Sequence, residues 1–139
     1  MQIENMEGTE TLIDATVILR YLVGDGDDFA LKARDIFKKA VNGEINLIIP
    51  EIALTEAINI LIESYNQNRS AIATALRYLI RLPGVQIQTP ISVFIRSLGI
   101  FEKIDTPWTD ALFTAYAYEN NFKIKSFDNR YNKLLNQIN

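Results

Sequence analysis

The strongest constraint on this chain is its rhythm. Short strand-like runs at residues 9–13, 46–49, 85–88 and 123–127 alternate with longer stretches whose apolar residues recur every three or four positions. A period of two, or a short apolar run between turn signals, reads as strand, and a period of 3.6 reads as helix. Strands separated by helices are too far apart in sequence for hairpins, so they pair in parallel and the helices cover the sheet. The expectation is an α/β fold with a mainly parallel sheet and helices on both of its faces.

The punctuation between these segments is explicit. Residues 16–23 run on apolar, broken by Arg20, until Gly24, Gly26 and the acids Asp25, Asp27 and Asp28 stop them. Phe29, Ala33, Ile36, Phe37, Ala40 and Val41 then mark an amphipathic helix, with Asp27 or Asp28 as its cap and Gly43 as its stop. Pro50 opens a helix over residues 51–65, and Ser70 is the expected cap of another that runs to Leu82 and is closed by Pro83 and Gly84. Pro90 opens a helix to about Glu102, residues 108–119 carry the next, and residues 131–138 form a closing one. A chain of 139 residues suits one domain, since a single core serves roughly 100–200 residues. Residues 1–8 are expected as a loosely ordered N-terminal extension.

Two absences narrow the chemistry. There is no Cys and no His, so disulfides, Cys/His zinc sites, a Ser-His-Asp triad and a histidine acid/base pair are excluded. Carboxylates, hydroxyls, amines or an oxygen-ligated metal must do any work. With 14 Lys plus Arg against 17 Asp plus Glu, the net charge of −3 argues against a non-specific nucleic-acid coat. A divalent cation reverses the sign of an acidic pocket locally, so a phosphate site remains compatible with that balance. The first ten residues carry Glu4, Glu7 and Glu10 and no basic residue, unlike a secretory signal. The most apolar region, residues 45–62, is interrupted by Asn46, Pro50, Glu51, Glu56 and Asn59, so no membrane span and a cytoplasmic location are expected.

Four acids stand where ligands collect in such sheets, beyond the carboxyl ends of the strands. Asp14 follows Thr11-Leu12-Ile13 and Asp128 follows Ile124-Lys125-Ser126-Phe127, each a charge inside an apolar stretch. Taken singly, each is accounted for as a helix cap. Glu56 lies with Asn59 and Glu63 on one narrow polar stripe of an otherwise apolar helix, and Asp110 lies in a first helical turn, where an acid gains from the helix dipole. As a set they are expected at one edge, where clustered carboxylates repel unless a cation is bound. Three or four carboxylates with room for water suit Mg²⁺ or Mn²⁺, which activates water against a phosphodiester without histidine.

The runs Leu12-Ile13-Asp14-Ala15-Thr16-Val17-Ile18-Leu19-Arg20-Tyr21-Leu22, Pro50-Glu51-Ile52-Ala53-Leu54-Thr55-Glu56, Thr109-Asp110-Ala111-Leu112 and Ser126-Phe127-Asp128 together resemble the PIN-domain nucleases. Within these they are most similar to the toxin half of VapBC toxin-antitoxin pairs, and the likeness covers about residues 10–135. The resemblance implies a single PIN-like domain, a three-layer α/β/α fold with a four- to five-stranded sheet. It also implies a Mg²⁺- or Mn²⁺-dependent endoribonuclease, homodimeric and held inactive by a cognate antitoxin. Asp14, Glu56, Asp110 and Asp128 would be its catalytic and metal-binding acids, with Thr16 and Ser126 in support. The chain departs from the family twice: Thr16 stands where Asn or Ser is frequent, and Arg130 stands where a further acid is common.

Arg20 and Arg130 are candidate RNA contacts, beside Lys103, Lys125 and Lys133, and Trp108 and the six Tyr are candidates for stacking on bases, although such aromatics more often fill a core or a subunit interface and the helix pattern through Tyr116 favours packing. Two other classes fit the same residues. One is a catalytically weak PIN-like module that binds RNA or protein, suggested by Arg130 and Thr16. The other is a receiver-like or phosphatase-like domain, which usually pairs acids near its first strand, where only Asp14 stands here.

Overall fold

The structure is a computed structural model and describes residues 9–138, so the expected extension at residues 1–8 lies outside the described part. Three strands, β1 (Glu10–Leu12), β2 (Asn46–Ile49) and β3 (Val85–Ile87), form one parallel sheet in the order β1-β2-β3. Thr11 pairs with Leu47, and Leu47 pairs in turn with Val85. The central strand buries one face completely, with Leu47 and Ile49 closed off from water, while Asn46 and Ile48 are half-buried. Seven helices intervene or follow among the described residues: α1 (Ala15–Val23), α2 (Asp28–Val41), α3 (Glu51–Glu63), α4 (Arg69–Leu79), α5 (Ile91–Lys103), α6 (Trp108–Asn120) and α7 (Arg130–Ile138). None of them is long and apolar enough to cross a membrane.

The α/β class and the parallel sheet are as expected, but the strand count falls short of four or five. Residues 123–127, read as a fourth strand, adopt no regular structure. The reason lies in their composition. Lys123 and Lys125 alternate with Ile124 and Ser126, and Ile124 is the sole residue of the segment that is even half-buried. One apolar side chain offers little burial against the backbone entropy of ordering a strand. The outer edge of β1 is accordingly unpaired among the described residues, and Leu12 there is 70% exposed.

Helix α1 starts where Asp14, in extended backbone, accepts hydrogen bonds from the amides of Thr16 and Val17. Gly24 ends it, and a Cβ at that position would collide with the Arg20 carbonyl and the Ala30 side chain, so glycine permits the close approach of α1 and α2. Helix α2 is capped by Asp27, whose carboxylate accepts from the Ala30 amide at 2.8 Å. Its buried stripe is Ala30, Ala33, Phe37 and Ala40. The sequence pattern had Phe29 and Val41 on the inner face, whereas both are exposed. Three small residues let α2 sit close to its neighbours, and that turns the stripe one position away from Phe29.

Helix α4 is capped by Asn68, which accepts from the Ala71 amide at 2.7 Å, in place of the expected Ser70. Asn68 has the extended backbone a cap requires, and Ser70 instead donates to Glu102. Arg69 crosses to the end of α5, where one guanidinium nitrogen donates to the carbonyls of Phe101 at 3.1 Å and Thr106 at 2.6 Å. The same group lies 4.4 Å from the centre of the Phe101 ring. It therefore binds carbonyls that helix geometry leaves without partners and fixes the turn leading into α6. We predict that Arg69→Ala lowers stability by about 2 kcal/mol in urea unfolding, since hydrogen bonds from a charged donor contribute about 1.5–3 kcal/mol. Arg69→Lys should recover little of this loss, because an ammonium lacks the second nitrogen that faces Asp105 at 3.4 Å and the flat surface beside Phe101.

Candidate metal centre

Because the strands are parallel, Asp14 just after β1 and Pro50 just after β2 lie at the same edge of the sheet. From that edge α1 and α3 run side by side and pack on each other. Asp14 and Glu56 thus line one open cleft of about 600 Å³, together with Thr16, Val17, Ile52 and Ala53. The polar stripe read on α3 is present: Glu56 and Glu63 are exposed, and Asn59 is half-buried.

Asp14 is held by its neighbour. The Thr16 hydroxyl donates to Asp14 Oδ1 at 2.5 Å and the Thr16 amide to the same oxygen at 3.0 Å. The hydroxyl is the main reason that this carboxyl titrates below its ordinary 3.8; slight burial opposes the shift and the Val17 and Thr16 amides reinforce it. A carboxyl whose folded value is depressed lends stability that is complete above the unfolded value and is lost as pH falls through the folded one. Thr16 therefore supports Asp14 through its hydroxyl.

The second pair of acids is organised differently. Asp110, in the first turn of α6, is only 6% exposed. Arg130, at the start of α7, places its Nε 3.4 Å from Asp110 Oδ2 and 3.2 Å from Asp128 Oδ2. The guanidinium is thus held between the two carboxylates. Asp128 does not end a strand as expected, since the segment before it is irregular; it caps the start of α7 by accepting the Arg130 amide at 3.0 Å. Ser126 accepts the Asp128 amide at 3.0 Å and so fixes the backbone that presents this acid. Among the described residues no three acidic side chains lie close enough together to hold a metal ion. The four acids stand as two pairs, one open to solvent and one closed on Arg130.

Other candidates take structural places. Trp108 is buried, edge-on to Phe94 and Phe101, and its indole N–H donates to the Thr55 hydroxyl at 3.0 Å, so it offers no face to a base. Arg20 is ion-paired to Asp27 at 2.7 Å, and Lys103, Lys125 and Lys133 are exposed. Sequence reasoning passed over Glu51, whose carboxylate accepts hydrogen bonds from Tyr116 and, at 2.8 Å, from Thr89. Burial first, and Glu51 second, push the Tyr116 phenol up to about 12. The one local signal for Glu51 was an acid directly after Pro50 at a helix start; its partners lie 38 and 65 residues away.

The description PIN domain belongs to the family model that matches residues 11–135, nine-tenths of the chain. The chain belongs to the PIN domain family. Comparison with curated proteins finds no match. PIN domains are generally nucleases and generally use divalent metal ions. The donor chemistry here fits such an ion, since every candidate ligand is a hard carboxylate oxygen. The gap between Asp110 and Asp128 already accepts a positive charge, in the form of the Arg130 guanidinium.

Two outcomes follow for this PIN domain. Thr16→Val should raise the Asp14 carboxyl towards 3.8, read by carbon-detected NMR titration. Arg130→Gln should tighten Mn²⁺ binding by about tenfold in calorimetry by removing a competing cation, a change of about 1.4 kcal/mol for partly solvent-screened charges.

Proposed function

We propose that this PIN domain is a Mg²⁺- or Mn²⁺-dependent endoribonuclease and the toxin component of a VapBC-type pair. The observation that carries the proposal is the placement of two acid pairs by the parallel sheet and the helices packed on it: Asp14 with Glu56 on an open cleft, and Asp110 with Asp128 around a guanidinium. Asp14, Glu56, Asp110 and Asp128, which stand here as two separate pairs, would be the ligands of the ion; when bound it supplies an activated water and charge neutralisation at the phosphodiester. Asp14, kept ionised by Thr16, presents a carboxylate at any pH near neutrality. Asp110, buried at a helix start, is fixed in place and little hydrated, so its charge acts more strongly on a nearby group than an exposed one would. Ser126 orients Asp128, and Arg130 is the cation nearest to this pair, available to a phosphate once it leaves the carboxylates.

A homodimer, a cytoplasmic location and a cognate antitoxin belong to the same reading. The open Asp14–Glu56 pair suits an antitoxin that inserts an Arg or Lys among the acids, and co-purification with the product of the neighbouring gene checks it. Arg130 also favours a second reading, a PIN-like module with weak catalysis, because a guanidinium already neutralises half of the acid set.

The two readings part in one experiment. For the nuclease, Mn²⁺ binds stoichiometrically, EDTA abolishes cleavage of single-stranded RNA, and Asp14→Asn or Asp110→Asn lowers kcat by at least about a hundredfold with an unchanged circular dichroism spectrum. Full cleavage in EDTA would sink the metal mechanism. A folded chain with neither metal uptake nor cleavage would leave the binding module.

A further inference from the structure

Phe29 is the large apolar residue that the sequence pattern assigned to the core and the fold left in water. It is 63% exposed at the start of α2, and it has two cations for company: Arg20 Cζ and Lys32 Nζ each lie 5.5 Å from the centre of its ring. Arg20 is also ion-paired to Asp27 at 2.7 Å, so its guanidinium lies beside the ring with one nitrogen on that carboxylate. Lys32 has no acidic partner among the described residues. These groups rim a groove of about 590 Å³ between α1 and α2, closed on one side by the half-exposed Tyr65. Such a volume suits a small organic group, since ligand pockets span about 300–1,000 Å³. Thr16 and Val17 line both this groove and the Asp14–Glu56 cleft, so the two adjoin.

We propose that the α1–α2 groove is a nucleotide subsite that takes one unstacked base of single-stranded RNA next to the acid cleft. The base lies against the Phe29–Arg20 pair and the adjoining phosphate meets Lys32. The inference rests on the ribonuclease reading and adds to it the residues that hold the substrate. An aromatic ring, a guanidinium beside it and an ammonium with no ion-pair partner among the described residues are what an unpaired nucleotide asks for, because every base has a stackable face and every linkage carries a negative charge. A purely apolar protein helix matches the groove less well. It would cover the Lys32 ammonium and the Arg20–Asp27 pair without supplying a counter-charge. In a chain of net charge −3, a polyanion is held where cations and an aromatic coincide.

The test is fluorescence anisotropy of a short labelled single-stranded RNA with the full chain in EDTA, where metal-dependent cleavage is silent. Phe29→Ala should weaken binding by roughly five- to a hundredfold, the usual loss of one stacked base, and Phe29→Trp should retain it. Lys32→Gln should flatten the plot of log affinity against log salt by about 0.7, one phosphate's share. Both positions are exposed, so the variants keep the fold. If wild type binds RNA and Phe29→Ala binds within twofold of it, the subsite is overturned and the nuclease reading stands. Failure of the wild-type chain to bind or cleave RNA with or without Mn²⁺ overturns both. If Phe29→Ala spares RNA affinity but abolishes capture of the neighbouring gene's product, the groove is a protein-docking site and the proposal is wrong.

Discussion

The hydrogen bond from the Trp108 indole to the Thr55 hydroxyl is the joint on which the arrangement of acids depends. Trp108 opens α6 two residues before Asp110, and Thr55 precedes Glu56 on α3, so one partly buried contact ties the helix segments that carry two of the acids. Phe94 and Phe101, both edge-on to the indole, bring α5 into the same contact. An indole N–H in such surroundings must find an acceptor, since an unpartnered buried donor costs about 1–3 kcal/mol. Thr55 supplies it. The Tyr116–Glu51–Thr89 network makes a second tie between α6 and the start of α3 and extends it to the end of β3. Together the two contacts leave α6 little freedom to slide.

On this frame the two acid pairs differ in what surrounds them more than in what they are. Asp14 is a solvated carboxylate whose charge is stabilised locally, by a hydroxyl and two amides of its own helix. Asp110 is shielded from water, and its nearest counter-charge comes from another element altogether. An exposed ion pair contributes little to stability, so the Arg130–Asp128 contact alone would weigh little. The buried Asp110 changes this, because leaving its charge without a partner is costly. Arg130 thus serves as an internal counterion for α6 when nothing else positive is near. In the reading proposed here, any cation or phosphate reaching Asp110 must first displace or recruit that guanidinium.

What the sequence made legible was whatever is decided locally. Parallel β1 to β3, the caps at Asp14 and Asp27, and the polar stripe of Glu56, Asn59 and Glu63 follow from period, punctuation and helix geometry. Lys123 to Phe127 misled because β-branched and aromatic residues signal strand propensity, yet only Ile124 finds anything to pack on. Phe29 misled for the reverse reason. It has the helical spacing of a core residue, but Ala30, Ala33 and Ala40 set the contact stripe through their small size, and size complementarity is a property of the neighbours. The reach of Arg69 to Thr106, and of Tyr116 to Glu51, spans 37 and 65 residues and has no sequence signature at all. At the candidate site the identity of the acids could be read in advance, while their division into an open pair and a pair closed on Arg130 could not.

The charge distribution bears on how an acidic chain can engage an anionic polymer. At physiological salt, exposed charges more than about 8 Å apart are largely screened. A net charge of −3 is therefore only a weak obstacle to approach, and the groups that meet at contact decide the outcome. In the proposed reading contact is carried by short-range groups: an exposed ring, a guanidinium beside it, and an ammonium with no ion-pair partner among the described residues. Exposing Phe29 forgoes roughly 1.5–3 kcal/mol of burial relative to a core phenylalanine. The fold bears that loss beside the very cleft that holds Asp14 and Glu56, while the interior of α2 is filled with alanines that a larger residue at position 30 could have replaced only by pushing α1 away at Gly24. The small-residue seam that seats α2 against α1 and the aromatic turned out towards solvent are thus two consequences of one packing choice, and the second leaves the exposed ring on which the proposed nucleotide subsite rests.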